Sequence, residues 1–501
     1  MLRRLPRLSL GQATLAWIGV DGTLAVASIL TTPYLVHRLG TEPYGILAML
    51  SVLAGQLGVL HLGVGPAATR RIAEARGQDG GDAHGAVLWA TALLGLAAAL
   101  LVGSAFLTVA PWAWTHRFHG SDAVTALALG AMAPSAIVVG AQPLLAAVAG
   151  GLAGEERFAA LSVWRLGHGL GRQAAAVAVV FAGGGAREVL WAHAGVDGVA
   201  IAVGFALWPG LRGSVSWPRL RHALAGLLSV GVPFAGAGLI ASLLSDAEKL
   251  AVSMARSIED FTYYTVPFNA VFRLTMFAGA LSNVLFPRLA SVAAAGDRAG
   301  ARELVRRGTR LSVASMSLVL APLIAIAPEL LGLWLGPDFA QRSTRPVRIL
   351  LVALLANTAS FSYNAAIRAR ARPAVLSGLY AAELPLHLLT VFVLVRAGGI
   401  TGAALAWGVR VLADLAGHRF LTSRAFEAPV GGLTAISAAL GALAAFALSC
   451  EVFRATLPAL PRLAAGVALG AAIAFLVLKA EDRVIAMRAL DPAALLRGGR
   501  A

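Results

Sequence analysis

Long apolar runs, separated by short polar breaks, fill this chain from end to end. Each run has about the twenty residues that an α-helix needs to cross the hydrocarbon core of a bilayer. The pattern predicts about 14 transmembrane helices, near residues 13–36, 44–65, 84–108, 122–147, 158–182, 187–209, 223–246, 262–287, 310–335, 347–367, 374–396, 399–420, 431–453 and 461–479. We therefore expect an all-α integral membrane protein.

Basic residues are concentrated in alternate breaks. An even number of helices places both termini on one side of the membrane, and the segments on that side hold 26 of the 41 Lys and Arg residues. The opposite segments hold 11, and four Arg lie inside helices. Because Lys and Arg accumulate on the cytoplasmic side of membrane proteins, we expect both termini in the cytoplasm and the chain in the cytoplasmic (inner) membrane.

A six-helix pattern occurs twice along the chain. An Ala-Gly-Gly turn begins 24 residues after Phe158 and again 24 residues after Pro373. Arg38 followed by a Tyr-Gly pair is likewise echoed by Arg256 followed by a Tyr-Tyr pair. Both copies start from the same side, so the repeat is parallel, which is a transporter architecture. The predicted domains are a six-helix lobe at 1–222, a second at 223–425, and an extra helix pair with a tail at 426–501.

The composition fits a lipid-exposed bundle. Hydrophobic residues make up 58% of the chain and charged residues 13%, and the mean hydropathy is +0.77. The net charge of +16 follows from the basic loops, so it does not indicate nucleic-acid binding. A single cysteine, Cys450, excludes an intrachain disulfide. We expect no metal site and no cofactor beyond a coupling H⁺ or Na⁺.

The N-terminal ten residues resemble the start of a signal peptide. Arg3, Arg4 and Arg7 precede an apolar stretch, as in a secretory signal. Asp21 interrupts that stretch, and no small-residue cleavage site follows it cleanly. We expect this segment to be retained as the first transmembrane helix.

An ordered set of short motifs carries a family resemblance over nearly the whole chain. The motifs are PYLVHRLGTEPYG (33–45), LGVG (62–65) with RRIA (70–73), DAEK (246–249), YYTV (263–266), LFPRL (285–289), WLGPDF (334–339) and GGITGAALA (398–406). Together they resemble the O-antigen-flippase-like polysaccharide and lipid-linked oligosaccharide flippases of the multidrug/oligosaccharidyl-lipid/polysaccharide exporter superfamily. The resemblance implies two lobes in a V around a cleft, and export of a lipid-linked glycan. Glycosyltransferases and a polysaccharide polymerase of the same pathway are the implied partners.

Four arginines lie inside predicted helices, where an ionisable side chain costs several kcal/mol and normally faces a polar cavity. They are Arg165 and Arg172 in the fifth helix, Arg273 in the eighth and Arg410 in the twelfth. Seven residues are about two helical turns, so Arg165 and Arg172 share one face, with His168 between them. A guanidinium group donates a fork of hydrogen bonds suited to phosphate oxygens. These arginines are our candidates for binding an anionic lipid head group.

Acidic residues inside the helices have two interpretations. Asp21, and Glu383 with His387 one turn later, either bind a coupling cation or proton, or pair with Arg172 and Arg273 across the cleft. Pairing is the interpretation we favour. Arg410 has its own candidate partner, because Asp414 lies four residues later on the same helix.

Three other functions compete with this one. A membrane glycosyltransferase or polymerase needs an extended loop or an acidic metal motif, and the sequence offers no such catalytic set. We therefore do not expect an enzyme. A cation-coupled drug antiporter would favour an acidic cavity rather than four intramembrane arginines. A lipid II flippase also handles an anionic lipid pyrophosphate, so it stays an alternative.

Overall fold

The computed structural model of this chain describes residues 10–57, 61, 63–77, 81–118, 121–208, 215–370, 373–454 and 456–478. Helices fill these ranges, and no strand occurs within them. The basic N-terminal segment 1–9, the motif residue Leu62, the loop arginines Arg212 and Arg372, and the tail 479–501 lie outside the described residues.

The helices follow one another in chain order with short connections. They are α1 (Leu10–Leu39), α2 (Thr41–Gln56), α3 (Val64–Gly77), α4 (Gly81–Arg117), α5 (Asp122–Gly130), α6 (Met132–Gly154), α7 (Phe158–Phe181), α8 (Ala186–Ala206), α9 (Trp217–Ala255), α10 (Ile258–Arg273), α11 (Thr275–Ala294), α12 (Arg298–Ala325), α13 (Ala327–Leu335), α14 (Pro337–Arg342), α15 (Thr344–Arg370), α16 (Pro373–Ala425), α17 (Leu433–Val452) and α18 (Ala459–Val477). Every apolar run predicted from the sequence falls on one or two of these helices.

The predicted spans differ from the observed helices where the backbone breaks. Four spans are each divided into two helices: α2 and α3, α5 and α6, α10 and α11, and α12 and α13. The spans predicted at 374–396 and 399–420 instead form the single helix α16, which kinks at Gly399, where φ is 56°. A positive φ is easily adopted only by glycine. Hydropathy locates the apolar runs but does not locate these breaks.

Ten of the described helices are long and apolar enough to cross a membrane. Two predicted spans that are divided, into α2 with α3 and into α10 with α11, are not among the ten. The helix α7 is long enough but carries Arg165, His168, Arg172 and Gln173 within its length. The helix α7 therefore places ionisable side chains at membrane depth, where they are candidates for function.

Contacts between helices divide the chain into two units, Met1–Thr262 and Tyr263–Ala501. The domain boundaries that we predicted at 222 and 425 stay predictions. The core of the first unit lies where α3, α4, α6, α8 and α9 meet, and small side chains such as Ala67, Ala68 and Ala147 line it. Small residues let transmembrane helices approach closely. In the second unit, larger rings such as Tyr263, Tyr363 and Trp407 are fully buried.

The second unit ties its C-terminal helix pair to α12 through two buried arginines. Arg348 Nε donates to the carbonyl of Ile324 at 3.1 Å, and Arg462 Nη1 donates to the carbonyl of Ala325 at 3.0 Å. These carbonyls end α12, where a helix leaves its last acceptors without partners. Glu451 and Glu329 neutralise the two guanidinium groups. Arg348 and Arg462 therefore stabilise the break between α12 and α13.

The two units repeat the same irregularities. The second predicted span of each lobe is broken, between α2 and α3 in one and at Leu274 in the other. The paired Ala-Gly-Gly turns each contain a glycine with positive φ, Gly183 at 86° and Gly399 at 56°. The sequence repeat is thus accompanied by a repeat in backbone geometry.

Candidate functional site

One face of α7 carries the polar side chains that the sequence singled out. Arg165, His168 and Arg172 follow one another at intervals of three and four residues, which places them on one side of the helix. Trp164, beside them, donates its indole N–H to the carbonyl of Ala200 on α8 at 2.8 Å. Because Trp164 is buried, this bond fixes the rotation of α7 against α8.

A carboxylate of α8 completes an ion pair at this face. Asp197 is 0% exposed, and its two oxygens lie 3.0 and 2.9 Å from Arg172 Nη1. His168 Nε2 lies 2.7 Å from the same carboxylate. A fully buried carboxylate requires charged partners, and Asp197 has one guanidinium and one imidazole. The Arg172 side chain keeps 26% of its surface exposed.

His193, one turn before Asp197 on α8, contacts the second terminal nitrogen of the Arg172 guanidinium. Its Nδ1 lies 3.2 Å from Arg172 Nη2, and its Nε2 lies 3.2 Å from the Arg172 carbonyl. This network is satisfied by the tautomer in which Nδ1 accepts and Nε2–H donates. Arg172 is therefore held by Asp197 and His193 in one orientation.

A cavity of about 540 Å³ opens beside these residues. One wall is polar and contains His168, Arg172 and His193, all within the first unit. The rest of the lining comes largely from α2 and α6, and it combines apolar side chains such as Leu50 and Val138 with Ser135 and Gln142. A positively charged group and apolar side chains in one lining suit a ligand with an anionic head and an apolar body.

Asp21 pairs with a different arginine from the one that we favoured. Arg165 Nη2 lies 2.8 Å from Asp21 Oδ1, and the guanidinium of Arg165 also covers the ring of Trp17 at 4.7 Å. The expected pairing of Asp21 with Arg172 is therefore wrong. The reason is position along the helices, because Asp21 on α1 meets the first turns of α7 and Asp197 on α8 meets Arg172.

A second polar cluster lies in the second unit, between α15 and the two halves of α16. Asn364 Nδ2 lies 2.9 Å from His418 Nε2 and 3.2 Å from the hydroxyl of Tyr380. His418 Nδ1 lies 3.1 Å from Asp414 Oδ1. Glu383 is buried in this region, and among the described side chains neither of its carboxylate oxygens has a hydrogen-bond partner.

This cluster corrects two expected ion pairs. Asp414 contacts His418, one turn after it, rather than Arg410, one turn before it. Glu383 forms no ion pair with Arg273 among the described residues; Arg273 ends α10 at the break before Leu274. His387 is buried one turn after Glu383.

Sequence reasoning missed Asp197 and His193, which complete the site. Both lie inside the predicted helix 187–209, four residues apart. That spacing, within an otherwise apolar run, was the available signal, because two ionisable residues one turn apart share a helix face. Their contact with Arg172 depends on how α7 and α8 are rotated, and the sequence does not state that rotation.

Comparison with known proteins supplies the family. Residues 10–293 match the model of a family described as polysaccharide biosynthesis protein. A putative O-antigen transporter of Shigella flexneri is 23% identical over 180 residues, which cover 35% of this chain and 41% of that protein. The match thus spans less than half of the relative's length.

Solved structures share the fold at low sequence identity. An inward-facing multidrug resistance MATE family transporter of the MOP superfamily superposes with a TM-score of 0.68 at 15% identity, covering 84% of this chain and 98% of that one. The lipid II flippase MurJ, in an inward closed conformation, gives a TM-score of 0.67 at 10% identity, covering 93% and 97%. The chain belongs to the polysaccharide biosynthesis protein family, and it is a multi-pass membrane protein with the two-lobed helical fold of MOP-superfamily transporters.

Proposed function

We propose that this chain is a flippase that moves an oligosaccharide or polysaccharide repeat unit, linked to a polyprenyl pyrophosphate, across the cytoplasmic membrane by alternating access. The observation that carries the proposal is Arg172, which faces a cavity of about 540 Å³ whose lining also contains apolar side chains. A pyrophosphate requires cationic donors, and a polyprenyl chain requires hydrocarbon. The family match supports a glycan as the cargo.

Asp197 gives this site a means of releasing its ligand. Asp197 neutralises Arg172 at 2.9 Å. An incoming phosphate would compete with Asp197 for the same guanidinium, so binding exchanges one anion for another rather than adding a new ion pair. Such an exchange keeps affinity moderate, and a transporter needs moderate affinity because it must also let go of its cargo. Arg165, Arg273 and Arg410 are further candidate contacts for the head group.

Flipping of a fluorescent lipid-linked oligosaccharide in proteoliposomes tests the proposal. We expect Arg172→Gln to slow flipping about tenfold or more, since a charge-assisted hydrogen bond contributes about 1.5–3 kcal/mol. Arg172→Lys keeps the charge and loses the fork, so its rate should fall between those of Arg172→Gln and the wild type. The matched control is Arg187→Gln, an exposed arginine at the start of α8. If Arg172→Gln flipped the lipid at the wild-type rate, the proposal would be overturned.

The same assay separates the competing cargoes. Faster flipping of lipid II than of the oligosaccharide-linked lipid would favour a cell-wall precursor as the cargo. Export of a cationic drug, unaffected by Arg172→Gln, would favour a drug antiporter. We propose transport of a glycan lipid over a cationic drug because Arg172 lines the cavity, and over lipid II because of the family match.

We propose that a coupling ion is bound in the second unit rather than at Arg172. Glu383 is buried near Asp414 and His418, and a buried carboxyl without a hydrogen-bond partner is suited to carry a proton. His387 and Asp21 are the other candidates for a coupling ion or its charge partner. We expect Glu383→Gln to abolish the acceleration of flipping by an imposed pH gradient. A dependence on a Na⁺ gradient instead would replace H⁺ by Na⁺.

The location and the partners of the chain belong to the same proposal. We place both termini in the cytoplasm and the chain in the inner membrane, on the distribution of Lys and Arg. Glycosyltransferases would build the glycan lipid before flipping, and a polysaccharide polymerase would use it afterwards. The chain itself would then perform no covalent chemistry.

A further inference from the structure

The first unit contains another cavity, of about 400 Å³, whose lining combines charged and small apolar side chains. It lies where α3 ends and where α4 and α9 begin, and Arg71, Glu74, Arg219 and His222 line it. None of these residues lines the cavity beside Arg172. This interfacial cavity, as we name it, is therefore separate from the proposed transport site.

Arg71 is held in place at the wall of the interfacial cavity. Its Nη1 donates to Glu74 Oε2 at 2.9 Å, while Arg70 Nε occupies the other oxygen of Glu74 at 2.8 Å. On the far side, a Cβ atom at Gly226 would lie 2.1 Å from Arg71 Nη2. A side chain at position 226 would therefore displace this guanidinium group from its present position. The Arg71 side chain is thus held by the Glu74 carboxylate, and it occupies the space that the lack of a side chain at Gly226 leaves.

The charge of the interfacial cavity matches a monoanion. Arg71 and Arg219 contribute two positive charges and Glu74 one negative charge, and His222 adds a further N–H group. The described lining residues thus sum to one positive charge, which is complementary to a phosphodiester, since that group carries one negative charge. Arginine is the side chain best suited to phosphate oxygens.

The interfacial cavity lies at the depth of lipid head groups. Arg219 precedes the apolar run at 223 by four residues, about 6 Å along the helix. The head-group layer of each leaflet is about 5–8 Å thick. Trp217, at the start of α9, is 68% exposed, and tryptophan is enriched at membrane interfaces. A ligand in this cavity would therefore lie at the level of the phospholipid phosphates.

A smaller cavity lies in the second unit, also at the start of a lobe's third span. It measures about 250 Å³ and is lined by Arg302, Glu303, Arg306 and Gly431. Part of its lining comes from the start of α12, which is the third span of the second lobe. The rest comes from the segment before α17, the first helix after that lobe. Two arginines and one glutamate line each cavity, although both arginines of the second lie on α12, whereas those of the first lie on α3 and α9. The charge pattern is thus a repeated feature.

We infer that the interfacial cavity binds the phosphodiester head group of an anionic phospholipid of the cytoplasmic leaflet. Basic pockets between transmembrane helices on the cytoplasmic side are suited to such head groups. The leaflet follows from the topology proposed above, whereas binding itself does not depend on the cargo. A bound lipid would link α9 to α3 and α4 within the first unit.

Thermal unfolding of the purified full chain in neutral detergent tests this inference without any transport assay. Phosphatidylglycerol should raise the unfolding midpoint of the wild type, because a ligand that binds only the folded state stabilises it. We expect the double variant Arg71→Gln/Arg219→Gln to lose about half or more of this shift. Arg219→Gln alone, at an exposed position, should lose part of it and provides a second variant that leaves the Arg71 pairing intact.

The matched control is Arg70→Gln, which removes the same charge one residue away. Arg70 shares Glu74 with Arg71 but is 64% exposed and does not line the interfacial cavity, so the shift should be kept. An unchanged shift in the double variant would overturn the inference. Equal shifts with phosphatidylcholine would also overturn it, and so would an equal shift with inorganic phosphate. A lost lipid shift with normal flipping would leave the proposed function standing.

Discussion

At the scale of single residues, the site is organised by ion pairs between neighbouring helices. Arg172 is tolerated at membrane depth because Asp197 neutralises it at 2.9 Å, and Asp197 is tolerated because Arg172 and His168 contact it. An unpaired charge in this environment would be costly. The pair is therefore a structural requirement as well as a candidate binding device.

Replacing one partner of this ion pair measures how much the pair contributes to the free energy of unfolding. We expect Asp197→Asn to lower the free energy of unfolding by about 2–3 kcal/mol, somewhat less than the 3–5 kcal/mol of a fully buried pair, because Arg172 is partly exposed. Thermal unfolding in detergent measures the change. The control is Asp21→Asn, whose carboxylate is 47% exposed and whose pair should contribute less than about 1 kcal/mol. Equal effects of the two variants would contradict the prediction.

A second residue-scale prediction concerns the turn between α6 and α7. Glu155 Oε1 lies 2.6 Å from His84 Nε2, and this contact with the imidazole holds the pKa of Glu155 below its ordinary value of 4.5. A carboxyl with a depressed folded-state pKa stabilises the protein above its unfolded-state pKa. That contribution disappears as the pH falls through the lower, folded-state pKa.

Glu155→Gln should therefore be less stable than the wild type at neutral pH, by about 1 kcal/mol. The difference should shrink as the pH falls below 4.5, as followed by unfolding midpoints across a pH series. Glu156→Gln serves as the control, because the Glu156 side chain is largely exposed although it contacts Arg76. A pH-independent difference would show that the Glu155 charge is not the cause.

At the scale of helices, close packing through glycine holds the C-terminal pair to the second unit. Gly466 and Gly470 lie one turn apart on α18, facing the backbone of α12. A Cβ atom at Gly470 would lie 2.7 Å from the Ser317 carbonyl oxygen, and one at Gly466 would lie 2.8 Å from that of Ala321. Two helix backbones approach this closely only where the side chain is absent.

Gly470→Ala should consequently destabilise the protein by about 1–3 kcal/mol, the usual cost of overpacking. Gly441→Ala on α17 is the matched control, because nothing lies within 4 Å of the added Cβ atom. That variant should be neutral or more stable, since alanine favours the helix by about 1 kcal/mol over glycine. Chemical denaturation of both variants measures the difference, and a stable Gly470→Ala would show that α18 does not depend on this contact.

At the scale of the whole molecule, the order of the helices determines which connections share a side of the membrane. The turn after α7 and the turn after α11 are separated by three predicted spans, so they should lie on opposite sides. The uneven distribution of Lys and Arg places the turn after α11 in the cytoplasm. The single native cysteine, Cys450, makes this orientation accessible to labelling.

Cysteine labelling of intact cells tests the orientation. In a Cys450→Ala background, Ala182→Cys should react with an impermeant maleimide added from outside, whereas Ala295→Cys should react only after the membrane is opened. Both positions are exposed, at the ends of α7 and α11 respectively. The reverse pattern would invert the topology, and reaction of both from outside would mean that the number of spans between them is even.

The sequence alone determined the class of this protein and the position of its apolar runs. Apolar length is a local property, and the thickness of the bilayer sets it, so every predicted run coincides with helical structure. It also indicated α7 as the polar helix, because Arg165 and Arg172 interrupt an apolar run. The repeat was visible in the spacing of short motifs.

Only the tertiary structure decided which charges meet and where helices break. Arg172 contacts Asp197 because of the rotation and height of α7 against α8, and sequence separation contains neither quantity. The break between α12 and α13 likewise depends on Arg348 and Arg462, which arrive from distant helices to bind the carbonyls of Ile324 and Ala325. Hydropathy is summed along one chain segment, whereas an ion pair or a broken helix is stabilised by groups from several segments at once.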